Sequence, residues 1–324
     1  MGSFEFRDIH PRLFIGTCSD RYAGWIGQIY SEGRYSDRIT YREKTIGRQS
    51  FTEEVLPVES VEEFFTHFPV LEIDFTFYRT LLTEEGMPTQ NHHVLEKYKN
   101  HLKSTDLVIV KVPQAVFAPR IRKGSEFVEN KHYLDADLFI RSFYQPAGDI
   151  LGENLAGFIF EQAYQRKEDR PSVSDMAGDL DRFFKTLPRD DRYHVEIRTA
   201  GLLKDPVLDA LDKHGIGLIL SHWTWLPSLE EQYSLWKERG GFSNKSLLLR
   251  LVTPRNKTYA QTYQAAHPFN RLVEGMLRED MIEDTVEIIR GVVVQGKRIY
   301  LLINNRAGGN APLIAERIAE RFQS

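Results

Sequence analysis

The chain has 324 residues, of which 41% are hydrophobic, 27% charged and 12% aromatic, a composition that excludes disordered, collagen-like and low-complexity classes. Lys and Arg number 42 against 46 Asp and Glu, a net charge of -4, so no global field draws the chain to a phosphate backbone or an anionic membrane surface. The apolar runs, such as Val292 to Val294, fall far short of the ~18 residues that cross a bilayer, and a single cysteine, Cys18, forbids an internal disulfide.

At about 150 residues per domain the length predicts roughly two domains, but barrels commonly run longer as one. Short β-branched and aromatic runs alternate with segments of helical spacing along the whole chain. The predicted order is strand 13–17, helix 61–68, strand 70–75, helix 92–102, strand 107–112, helix 135–144, strand 157–162 and helix 174–187. It continues with strand 193–198, helix 206–214, strand 217–222, helix 229–238, strand 247–252, helix 272–289, strand 298–304 and helix 311–322. Ser60, with Glu63 three residues on, reads as a capping box, and Pro206 follows Asp205 at a helix start. Eight strands alternating with eight helices predict an α/β fold, a (β/α)8 TIM-type barrel of parallel strands. An open doubly wound sheet is the alternative, and no G-x-G-x-x-G or P-loop follows an early strand to support it. The expected organisation is one barrel domain over 1–324, with an N-terminal extension over 1–11 and long strand-end loops over 18–60 and 253–270. Both loops belong to the barrel's C-terminal face, where barrel enzymes keep their active sites. Met1 to Arg12 has no apolar h-region, and Phe6 stands where a myristoylation motif needs Ser or Thr, so the expected location is cytoplasmic.

Side-chain alternation separates the two faces of each strand. Leu71, Ile73 and Phe75 face the helices, which sends Glu72 and Asp74 inward. Val195 and Ile197 do the same for His194, Glu196 and Arg198; Leu247, Leu249 and Leu251 for Arg250; and the valines of the third strand for Lys111. Gln162 and the pair Asn304 and Asn305 close the fourth and eighth strands. Burying isolated charges costs several kcal/mol each, so Glu72, Asp74, Glu196, Lys111, Arg198 and Arg250 must be paired, hydrated or in contact with a ligand. Two arrangements satisfy this. One is a balanced ion-pair lattice plugging the barrel. The other is a site in which Arg198, Arg250 and Lys111 clamp a polar or anionic ligand while Glu72 or Glu196, with Asp74 beside them, handles protons.

Weaker signals surround these residues. His92 and His93, adjacent on a helix, are expected to diverge rather than share a metal, whereas His222 with Glu72, Asp74 and Glu196 of the inward set is a thin candidate for a mixed N and O metal site. Cys18 lies one residue past the first strand, with no base assignable to it, and reads as a packing residue. Trp25, Tyr30, Phe77, Tyr78, Trp223, Trp225 and Tyr259 gather in strand-end loops, where they could stack a sugar or base or simply pack. Gly308 and Gly309 resemble the phosphate-cradling turn that barrels build after their last strands, or an ordinary turn. Arg120, Arg122 and Lys123 form a short basic run that reads as a solvated loop.

At these positions the chain resembles the YecE-like proteins, the family of domain of unknown function 72, over nearly its full length. Gly16, Thr17, Trp25, Gly27 and Tyr30 match the family's opening. Glu72, Asp74, Phe77, Tyr78 and Arg79 match its Glu-x-Asn-x-x-Phe-Tyr signature, with Asp in place of Asn. Lys111, Gln162, Glu196, Arg198, Arg250 and Asn304-Asn305 match further pieces. The histidines usual after Arg198, Arg250 and Lys111 are replaced, as by Thr199 to Leu202 and by Val252 and Thr253, so no role of theirs carries over. The resemblance implies a barrel and no established activity.

The first functional reading is an enzyme, a hydrolase or lyase, acting on a polar, anionic or sugar-like small molecule at the C-terminal face. Glu72, Glu196 and Asp74 are its catalytic candidates, and Lys111, Gln162, Arg198, Arg250, Asn304, Asn305, Tyr78 and Trp25 its ligand-binding candidates. A metal-dependent phosphodiesterase or nucleic-acid-binding barrel of endonuclease IV type is the second, by fold-level analogy, and a non-catalytic ligand-binding barrel the third. The expected partner is a small polar or anionic ligand, with no membrane, and nucleic acid is disfavoured but kept open; no cofactor is expected, and a divalent metal only through His222.

Overall fold

The computed structural model describes residues 4–124, 126–163, 165 and 167–324. The chain opens with β1 (Leu13–Thr17), then runs through β2 (Thr40–Ile46) and β3 (Gln49–Val55) to α1 (Val61–His67) and β4 (Val70–Ile73). Next come α2 (Gln90–Lys99), β5 (Leu107–Lys111), the single turn α3 (Gln114–Phe117), and the short strands β6 (Arg120–Lys123) and β7 (Glu126–Glu129). Helices α4 (Ala136–Phe139) and α5 (Gln145–Leu151) are joined by a π-helical turn over Ile140–Tyr144, and β8 (Leu155–Glu161), α6 (Val173–Thr186) and β9 (Tyr193–Glu196) follow. The remainder is α7 (Asp205–Lys213), β10 (Gly217–His222), α8 (Leu229–Glu238), β11 (Ser246–Leu251), α9 (Tyr259–Ala266), α10 (Glu279–Val294), β12 (Arg298–Ile303) and α11 (Ala311–Gln323).

Eight of these strands close into a barrel in the order β1-β12-β11-β10-β9-β8-β5-β4. Every pairing in it is parallel, as the strict strand and helix alternation predicts. Closure between β1 and β4 depends on Gly16, which lies opposite Val70; a Cβ there would sit 1.9 Å from the Val70 carbonyl oxygen. The alternation of faces also holds. Leu71, Val108, Val110, Phe158, Phe160, Leu247, Leu249 and Leu251 belong to the core between barrel and helices. Inside the barrel, Val70, Ile109, Ile159, Ile219, Leu248, Tyr300 and Leu302 form a separate apolar plug with Cys18. Charged residues follow these in sequence, one pleat further toward the strand C-termini, so the apolar layer is their floor.

Several local expectations are corrected. Ser60 is already in the helical conformation and makes no capping bond, because the Glu63 carboxylate instead accepts from the Ser31 amide and hydroxyl and from Arg34. The capping boxes present are Ser228 with Glu231 and Thr258 with Gln261. The helix expected from Leu272 starts at Glu279. Its first apolar residues pack as loop: Leu277 and Val273 lie against Gly308 and Gly309, where a Cβ would meet them at 2.9 Å. The Gly-Gly turn is therefore covered by these side chains. The segment 18–60 carries the antiparallel hairpin β2–β3, and 253–270 carries α9. The basic run lies on β6, paired with the acidic β7. Among the described residues, no helix is long and apolar enough to cross a membrane.

Candidate functional site

The strand ends assemble an ion-pair lattice above the apolar plug, centred on Arg250 of β11. Its Nε and Nη2 donate to the two oxygens of Glu72 on β4, at 3.0 and 2.6 Å, and its Nη1 donates to Glu196 Oε2 on β9 at 2.6 Å. Arg198 bridges the next pair, its Nε donating to Glu196 Oε2 at 3.0 Å and its Nη1 to Glu161 Oε1 at 2.5 Å. Lys111 Nζ closes the chain 2.5 Å from Glu161 Oε2 and lies 4.3 Å from the Phe77 ring centroid. Ser221 on β10 donates its hydroxyl to Glu196. Three carboxylates thus meet three cations, the arrangement that tolerates burial. Burial alone would raise the Glu161 carboxyl, but Arg198, Lys111 and Arg250 outweigh it and hold it down to about 2. Burial opposes the charge of Arg250 as well, and Glu196 and Glu72 overcome it.

The lattice floors a cavity of about 450 Å³. Besides the Lys44–Glu53 pair, two charged groups on its wall stand outside the lattice. Asp74, just past β4, makes no side-chain hydrogen bond or ion pair among the described residues; burial, followed by repulsion from Glu72, pushes its carboxyl up to about 6. Arg306, in the turn after β12, donates from Nε to Asn304 Oδ1 at 3.1 Å, reaches Thr253 Oγ1 only at 3.5 Å, and stacks over Tyr259 at 4.4 Å. No carboxylate among the described residues pairs with it. Cys18 also lines the cavity, but burial and the neighbouring Glu72 push its thiol well up, so it stays protonated and a poor nucleophile.

A smaller cavity of about 320 Å³ adjoins the first and shares Tyr22, Lys44, Glu53, Glu72, Asp74 and Tyr78 with it. In its wall Asp20 accepts from the Tyr98 hydroxyl at 2.9 Å, and burial raises its carboxyl to about 6. The β2–β3 hairpin and α9 meet at the main cavity, and the hairpin also lines the smaller one. Lys44 pairs with Glu53 at 2.9 Å across the hairpin, Tyr263 of α9 donates its hydroxyl to Glu53, and Lys44 lies 4.8 Å from the Tyr263 ring centroid.

Of the residues singled out from sequence, Glu72, Asp74, Lys111, Arg198, Arg250, Asn304 and Tyr78 line the main cavity, and Glu196 lies directly beneath it in the lattice. Others are placed as supports. Gln162 accepts the Arg198 amide at 2.9 Å. Trp25 is fully buried and donates from Nε1 to Asn305 Oδ1 at 3.1 Å, and the same oxygen accepts the Ala311 amide. His222 is buried and follows inward-facing Ser221, so it lies on the opposite face of β10 from the carboxylates. Burial holds it at about 4, and the charges acting on it are Asp280, Arg255 and Arg278; a mixed site with Glu72, Asp74 and Glu196 is not assembled. His92 and His93 do not diverge as expected: with Glu96 their ligand atoms lie within 4.8 Å of one another, on the partly exposed face of α2 and apart from the strand ends.

Sequence reasoning passed over Glu161, Ser221 and Arg306. The alternation that placed Arg250 also places the first two, since Phe158 and Phe160 face the helices and leave Glu161 inside, while Leu218 and Leu220 do the same for Ser221. Arg306 lies beyond the last strand in a turn with no period to read.

The family profile described as "Protein of unknown function DUF72" matches residues 14–324. A solved DUF72 family protein from Thermotoga maritima MSB8 is similar, with a TM-score of 0.59 and 13% identity over 96% of this chain and 99% of the other. One from Enterococcus faecalis V583 gives a TM-score of 0.58 and 12% identity over 96% of each chain. No functionally curated protein matches the sequence.

Proposed function

Since the chain belongs to the DUF72 family, whose description names no reaction, we propose from its own cavity that it is an enzyme acting on a polar, anionic small molecule by general acid and base chemistry, with Asp74 moving the proton. The observation that carries this reading is that, among the described residues, Asp74 alone of the strand-end carboxylates facing the cavity has no side-chain hydrogen bond or ion pair. A proton carrier must be able to give up and regain its proton near the working pH, and a carboxyl at about 6 does so. Glu72 and Glu196, the pair favoured by sequence, are held by Arg250 and Arg198 and serve as the counter-charges that keep the floor in place. The same bonds argue against a metal-dependent phosphodiesterase, since a cation among these carboxylates would have to displace three resident positive charges.

A thermal-shift screen of anionic metabolites tests the proposal, because a ligand at 100 times its dissociation constant adds about 2.7 kcal/mol of stability. Compounds that stabilise the protein are then assayed for turnover. Asp74→Asn is expected to keep the shift and lose turnover by ~100-fold or more. A variant that turns over normally excludes Asp74 as the proton carrier.

A further inference from the structure

We propose that the cavity takes a ring compound bearing one oxyanion group, with Arg306 holding the oxyanion and the aromatic side chains at the mouth covering the ring. The proposal rests on reading the cavity as a small-molecule site and adds the class of molecule. It starts from charge bookkeeping. Glu72, Glu161 and Glu196 are matched by Lys111, Arg198 and Arg250, and Lys44 is matched by Glu53. Arg306 is left over among the cations, as Asp74 is among the acids, and both line the same cavity without pairing with each other. The groups around Arg306 that could carry a negative charge are the phenols of Tyr259 and Tyr22 and the thiol of Cys18, of which burial keeps Tyr22 and Cys18 firmly neutral. A half-buried guanidinium without a counter-ion is in an unfavourable setting that an arriving anion relieves.

Its presentation is fixed in advance. Asn304 Oδ1 accepts both the Arg306 amide, at 3.0 Å, and Nε, at 3.1 Å. Tyr259 stacks on the guanidinium plane. Among the described residues Nη2 makes no hydrogen bond, and Nη1 makes only the long one to Thr253. Two donors side by side are the fork that matches a phosphate or carboxylate. Tyr78, Trp225 and Tyr259 line this cavity while remaining 73%, 50% and 45% exposed, among the largest exposed apolar side chains of the molecule. Aromatic faces at a polar mouth stack rings of sugars or bases. At about 450 Å³ the space is of the size that small-molecule sites have.

Isothermal titration of the full chain with phenyl phosphate, benzoate, phenol and inorganic phosphate tests this. Phenyl phosphate is expected to bind at least tenfold more tightly than phenol or inorganic phosphate, and benzoate decides whether a carboxylate serves as well. Arg306→Met is expected to weaken phenyl phosphate by ~10- to 100-fold and to leave phenol unchanged. Trp225→Ala and Tyr78→Ala are expected to weaken phenyl phosphate while leaving inorganic phosphate unchanged. Should Arg306→Met fail to fold, Arg306→Lys replaces it, with a smaller loss for phenyl phosphate only. Equal affinities for phenol and phenyl phosphate, or binding indifferent to residue 306, overturn the proposal. Loss of turnover in Asp74→Asn alongside such indifference would leave the acid-base reading standing without it. Binding that depends on Arg306 in a protein with no turnover would do the reverse.

Discussion

Replacing Asp74 by Asn should stabilise the protein at alkaline pH and not at acidic pH. Burial and the neighbouring Glu72 raise the carboxyl from its ordinary 3.8 to about 6 in the folded chain. At roughly 1.4 kcal/mol per tenfold change in proton affinity, that displacement corresponds to about 3 kcal/mol. The sign follows from proton counting. Between pH 4 and 6 the folded state holds more protons on this group than the unfolded state, so its contribution to stability falls as the pH rises through that window. Above pH 7 both states are ionised and the whole cost is present, whereas below pH 4 both are protonated and it vanishes. Asn carries no charge at any pH. Urea unfolding at pH 8 should therefore show Asp74→Asn up to about 3 kcal/mol more stable than the wild type, and at pH 4 nearly equal to it. A destabilised variant at pH 8, or a difference that does not change with pH, would refute the claim that this carboxylate is held in an unfavourable setting.

Other perturbations address the supports. Arg250→Met leaves Glu72 and Glu196 buried without their main partner and should cost about 3 to 5 kcal/mol in urea unfolding; a loss under 1 kcal/mol would mean that the lattice relaxes freely. Gly16→Ala drives a methyl group into the Val70 carbonyl and should cost about 3 kcal/mol or more by opening the seam between β1 and β4, a prediction sunk by an unchanged melting temperature. His194 and His222, held by burial at about 4, should remain neutral in imidazole NMR titrations down to about pH 5. Because their folded values lie below the unfolded 6.5, the stability they contribute is present above pH 6.5 and is lost as the pH falls toward 4, opposite in sign to Asp74. Titration of either ring near pH 6.5 would contradict its placement.

The barrel was legible because its strands are buried on both faces by different chemistry. Leu247, Leu249 and Leu251 pack against helices while Arg250 meets carboxylates, so a parity of two separates them in the sequence alone. The same rule points to Glu161 on β8, next to the helix-facing Phe160, but Gln162 drew attention instead as the polar end of the run. The β2–β3 hairpin escaped notice because its half-buried face mixes the charged Lys44 and Glu53 with Ile46, Phe51 and Val55, which breaks the apolar alternation. Leu272 to Leu277 looked helical since their apolar side chains are spaced for it, yet what they cover is the Gly308-Gly309 turn. Arg306 could not be read from any period, because its importance comes from what fails to pair with it in three dimensions.

Two insertions separated by some two hundred residues, the β2–β3 hairpin and the segment carrying α9, share Glu53 as a common anchor over the opening. Whatever enters must therefore pass a roof whose two halves are coupled, so that loosening one slackens the other. Selectivity can drift through changes in either half while the charged floor below stays untouched.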